Sequence, residues 1–198
     1  YEIVLADQGR PADDVDRFAM LRESEEYRSS ALAERECSDW NDSLVRHWLY
    51  DRAETLRWQA LVGSSDERLA ALADRALREE TFHLAHAEQF MSRIAPSKPP
   101  QILESIDRLL PIALQMWTPV DGEAEALADG VTTSSSAELA EQWELAIRGD
   151  LARWDLEVSW PVAPPTDRPS DRTQRTVGFD EFLTGLRKVM VLDEAAVW

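Results

Sequence analysis

The stretch from Asp66 to Ile94 contains neither Pro nor Gly. At 3.6 residues per turn its apolar side chains gather on one face, from Leu69, Leu72, Ala73, Ala76 and Leu77 through Leu84 and Ala87 to Phe90, Met91 and Ile94. That spacing predicts roughly eight turns of amphipathic helix, with Ser64, Ser65 and Asp66 as candidate caps. A stripe of that length must be buried against other helices, so it constrains the whole chain toward an all-α bundle. Glu80 and His83 fall on the same face. A Glu-x-x-His pair aimed into a helical core is either half of a metal site or a buried polar pair.

The rest of the chain fits around that helix. Tyr1 to Asp14 reads as irregular, broken by Gly9 and Pro11. Tyr1 to Leu5 resembles the tail of an element already under way, and the missing Met reads as a fragment. Asp16 to Ala33 reads as one helical stretch, with a break near Ser24 as the alternative. Asn41 or Asp42 can cap a helix from Ser43 to about Val62, which carries Val45, Trp48, Leu49, Ala53, Leu56 and Ala60 on its apolar face. Gly63 to Ser65 is a short link, which makes this helix and the next antiparallel neighbours. Pro96, Pro99 and Pro100 end that hairpin. A helix from Gln101 to Trp117 follows, with a kink expected at Pro111. Val120 to Ser136 reads as a loop with one turn of helix at most. Ser136 can cap a helix from Ala137 to about Trp160. A Pro-rich arm separates it from a last helix over Phe179 to about Glu194. The expected organisation is an irregular and helical segment at 1–42, a helical core at 43–160, the arm at 161–175 and a C-terminal helix at 176–198.

Composition narrows the function classes. A net charge of −17 would repel phosphates, which argues against nucleic acid and against an anionic membrane surface. No apolar run approaches a membrane span. The single Cys37 cannot form an internal disulfide, which fits a cytoplasmic setting. Eight Trp, several at helical spacing, suit cores and interfaces alike. No nucleophile elbow, phosphate loop, dinucleotide fingerprint or Cys pair is present.

The remaining candidates are polar residues on helix faces. A di-iron carboxylate site takes one Glu from each of two helices and Glu-x-x-His from two more. This chain has one Glu-x-x-His and only His47, His83 and His86 as imidazoles, so it cannot complete such a site alone. A structural network is the alternative. Arg52 and Gln59 fall inside the face of their helix, and a guanidinium can satisfy a carboxylate in place of a cation. The expectation is one buried network of Arg52, Gln59, Glu80 and His83, with a snorkelling Arg52 as the alternative. Asp51 and Glu54 read as solvated acids. Asp51, Glu79, Glu80 and His83 are the weak candidates for metal ligation. Asp150, between Trp143 and Trp154, is either buried or facing a partner.

Three stretches together, DRFAMLRESEEYRSSALAE, WNDSLVRHWLYDRAETLRW and LAALADRALREETFHLAHAEQFMSRI, resemble the PaaC-type subunits of bacterial phenylacetyl-CoA 1,2-epoxidase. A weaker likeness continues through Arg175–Gly178 to the closing Trp198. The resemblance implies a ferritin-like helical bundle; two N-terminal family helices have no counterpart here, which reads either as truncation or as divergence, with an incomplete bundle as one expectation. It implies a structural, non-catalytic subunit with no cofactor of its own. It further implies a PaaA-type catalytic partner carrying di-iron, together with other oxygenase subunits. Departures are visible. Asp51 and Glu54 stand where the family has Asp-x-x-His. Glu79 and His83 match its Glu-x-x-x-His, with Glu80 additional. Phe179, Asp180, Glu181, Phe182 and Leu183 replace its His-Thr-Glu-His-Leu. Two other readings stay open: a ferritin-like enzyme with its own iron site, and an unrelated helical interaction module.

Overall fold

The computed structural model describes residues 1–11, 15–165, 172 and 174–192. Among these the regular structure is helical and contains no strand. The helices are α1 (Glu2–Asp7), α2 (Val15–Met20), α3 (Trp40–Val62), α4 (Glu67–Ile94), α5 (Pro99–Leu114), α6 (Glu123–Ala128), α7 (Ser136–Arg153), α8 (Phe179–Leu186) and α9 (Lys188–Leu192), with 3-10 turns at Ser24–Glu26 and Gln115–Trp117.

The organising element is α3, not α4. It packs along α4 and also carries α5 and α7 on its other sides. Trp48, Leu49, Val45 and Ala53 of α3 are fully enclosed. They meet Ile102, Ile106 and Leu109 of α5 and Trp143 and Ile147 of α7 in one core. The Trp143 indole N–H donates to the Leu49 carbonyl at 3.1 Å, joining α7 to α3 within that core. By contrast α4 buries only Ala73, Leu84, Ala87 and Met91. Leu72 in its first half is 41% exposed. The apolar stripe read from the sequence is real, but α3 covers only part of it.

Local chemistry sets the ends. The Asp39 carboxylate caps α3 by accepting from the Asp42 N–H at 2.9 Å. The helix therefore starts three residues before the predicted Ser43, and Asp42 lies inside its first turn. Asp66 caps α4, accepting from Arg68 N at 2.9 Å. The α3–α4 link is held by the loop before α7, with Ser65 N donating to Gly130 O at 2.8 Å and Thr133 N to Ala60 O at 3.0 Å. Two prolines open α5, where a missing N–H costs nothing. Pro111 lies inside α5 without ending it.

Several boundaries differ from the sequence reading. Residues Glu2–Asp7 are helical rather than irregular, with Leu5 buried. Only Val15–Met20 of the second stretch is α-helix. Ser135 rather than Ser136 caps α7, in a reciprocal box with Glu138. α7 stops at Arg153, well before Trp160. Asp155 adopts a left-handed φ of 56°. Leu156 N then bonds back to Leu151 O at 3.0 Å and Asp155 N to Ala152 O at 3.3 Å, a Schellman closure. Asp tolerates that conformation better than most residues. The expected C-terminal helix is two short ones, and its end at 193–198 lies outside the described residues. So do 166–171 and 173 of the Pro-rich arm.

Candidate functional site

Two polar sites flank α3. The first is built on Asp150, only 2% exposed near the end of α7. Its carboxylate accepts from the Trp48 indole N–H at 2.9 Å and from Arg52 at 2.6 Å. Arg153 pairs with its other oxygen. Arg52 also binds Glu88 of α4, so one guanidinium ties α3, α4 and α7 together. Trp48 and Trp154 meet edge to face at 5.0 Å beside it. Both carboxylate oxygens of Asp150 therefore have a donor.

This corrects the predicted network. Arg52 does sit in a polar cluster, but its partners are Asp150 and Glu88, not Glu80 or His83. Gln59 is exposed. Glu80 and His83 pair with each other at 3.5 Å further along α4. The helical wheel placed Arg52 on the right helix face; it could not say which of several acids a long side chain reaches. The missed signal was the Trp48–Arg52 spacing of one turn, which points both donors at the same acceptor.

The second site is a cavity of about 570 Å³ between α3 and α4. Trp40 and Tyr50 of α3 and Phe82 and Phe90 of α4 wall it. All three histidines of the chain, His47, His83 and His86, line it as well. Spacing explains the convergence. His47 and Asp51 are one turn apart on α3, while His83, His86 and Phe90 share a face of α4. His86 packs edge-on to Phe90 at 4.8 Å, and Trp40 packs on the same ring at 6.3 Å.

Asp51 is the unexpected member. It is 8% exposed rather than solvated, and it lines the cavity. Its backbone carbonyl accepts from Thr55 at 2.8 Å. Among the described residues its carboxylate has no hydrogen-bond donor. Burial pushes its pKa up to about 7, and the charges of Glu80 and Glu54 add to the rise against the opposing effect of His83. Burial likewise raises Glu80, offset by His83, and lowers His47, with Arg46 adding to that effect. Glu54, the other acid of the pair, is half-buried against Arg57 at 2.5 Å. Glu79 is exposed and pairs with Arg75 at 3.4 Å.

The donor set does not fit a di-iron centre. Among the described residues no three His, Cys, Asp or Glu side chains stand close enough to hold a metal ion. Glu79 is taken up in an exposed pair with Arg75, and Asp150 is already neutralised by arginines. Nor is any described helix long and apolar enough to cross a membrane.

The relationships of the sequence agree with the helical architecture. Over 94 residues, 48% of this chain, it is 26% identical to the C-type subunit of the 1,2-phenylacetyl-CoA epoxidase of Escherichia coli (strain K12). The aligned part spans 36% of that relative's length. The family model described as phenylacetic acid catabolic protein matches residues 4–198, nearly the whole sequence. The chain belongs to the phenylacetic acid catabolic protein family.

Proposed function

We propose that this chain is a non-catalytic subunit of a phenylacetyl-CoA epoxidase-type oxygenase, pairing with a PaaA-type catalytic subunit that carries the di-iron centre. The family is ferritin-like and all-α, as this chain is. The observation that carries the reading is the state of Asp150. A ferritin-like oxygenase core needs carboxylates free to bind metal. Here the central buried acid is committed to Arg52, Arg153 and Trp48. A guanidinium holds the helices together where a catalytic core would spend its carboxylates on a cation. The exposed side chains of Trp40 and Leu145 and the charge of −17 suit an interface with a protein partner.

The test is co-expression with a PaaA-type subunit, followed by size-exclusion chromatography and iron analysis of each separated chain. A stoichiometric complex with iron confined to the partner is the expected result. Close to two iron atoms per copy of this chain when purified alone would overturn it, as would failure to form any complex.

A further inference from the structure

We propose that the α3–α4 cavity is a binding site for a small organic cation with an aromatic or alkyl body, with Asp51 as its counter-ion. The reading is independent of the oxygenase assignment. Four carboxylates are buried among the described residues: Glu34, Asp42, Asp51 and Asp150. Three have an internal cation, since Glu34 pairs with Arg175, Asp42 with Arg108 and Asp150 with Arg52. Asp51 has none. It is the one whose surroundings leave room, since it lines a cavity of about 570 Å³.

The aromatic rings repeat the pattern. Elsewhere arginines stack on rings, as Arg57 does on Trp117 at 4.9 Å and Arg148 on Trp160 at 4.4 Å. Among the described residues no such cation covers Trp40, Tyr50, Phe82 or Phe90. A buried acid without an internal cation, lining the same cavity as aromatic rings that no arginine covers, is the chemistry that takes an ammonium or amidinium group. Among the described residues no three of the cavity's His and Asp side chains stand close enough together to hold a metal ion, and the aromatic walls favour a cation that brings its own apolar surface. The net charge of −17 raises the local concentration of such a ligand and lowers that of an anion.

The experiment compares three probes of similar size at about pH 8, where Asp51 is ionised: benzyltrimethylammonium, neutral 2-phenylethanol and phenylacetate. Binding is followed by NMR through the histidine ring protons, because all three histidines line the cavity. The expected order is cation, then neutral, then anion, with at least tenfold between the first two. Asp51→Asn is expected to erase that tenfold preference while leaving 2-phenylethanol within twofold. Phe82→Ser, at a position 72% exposed and so tolerant of change, is expected to weaken the cation several-fold. Equal binding of all three probes, tighter phenylacetate, or a cation preference that survives Asp51→Asn would each overturn the proposal. So would histidine signals that none of the probes moves.

Discussion

Asp51 and Arg52 are consecutive residues, yet they belong to opposite kinds of site. Arg52 turns to the junction of α3, α4 and α7, where it meets Asp150 and Glu88. Asp51, roughly 100° round the same helix, turns into an open cavity and meets no donor among the described residues. Both sites hold a buried aspartate. At Asp150 the desolvation cost is offset by two arginines and an indole N–H. At Asp51 it is not, and the acid's pKa moves to about 7 instead. A buried charge must be paired or neutralised, and this helix shows both outcomes one residue apart.

The largest test of that contrast removes the saturated acid. Asp150→Ala should destabilise the fold by about 3–5 kcal/mol, because it strands a buried indole N–H and a guanidinium. Chemical denaturation monitored by tryptophan fluorescence reads it directly. The matching change on the other side, Asp51→Asn, should act in the opposite direction. At about pH 8 it should stabilise by about 1–2 kcal/mol, since it removes an unpaired buried charge. A loss of stability in that variant would mean Asp51 has a partner after all.

Titration sharpens the comparison further. The folded pKa of Asp51, about 7, lies above its ordinary value of 3.8. The folded state therefore holds an extra proton between those values. Its stabilisation is fully present below about pH 4 and is lost as pH rises through about 7. Asp42 runs the other way. Burial pushes its pKa up, but hydrogen bonds from Ser38, Ser105 and Arg108 together outweigh that and hold it at about 2. Its contribution is present above about pH 4 and is lost as pH falls toward 2, a change on the order of 1–2 kcal/mol. Stability measured against pH in Asp51→Asn and Asp42→Asn should lose the neutral-range and acid-range slopes respectively. The smallest effect belongs to the outer face of α4. Glu79→Ala breaks only a surface pair and should change stability by less than about 0.5 kcal/mol.

Much of the architecture was legible because helical periodicity is a local property. The α3–α4 hairpin, the proline start of α5 and the Asp66 cap all follow from residues within one or two turns. The failures have a common physical cause. α1 is too short to show a period. The end of α7 depends on one left-handed residue, Asp155, that no apolar pattern announces. For Arg52 the wheel supplied a direction but not a partner, since Glu80, Glu88 and Asp150 all lie within plausible reach of a long side chain on α3. Asp51 was misread as solvated because burial at the edge of a helix face depends on what packs beside it.

By itself, then, the sequence determined an all-α chain, the order and approximate span of its main helices, and a single Glu-x-x-His motif where a complete paired site takes two. Those are consequences of spacing and composition. The tertiary structure alone decided that α3 is the central element, that Asp150 receives the arginine the sequence had offered to Glu80, and that three histidines line one cavity with a buried acid that lacks a partner among the described residues. Those outcomes depend on the relative rotation of neighbouring helices. A rotation of a few tens of degrees decides whether a carboxylate meets an arginine, water or an open cavity.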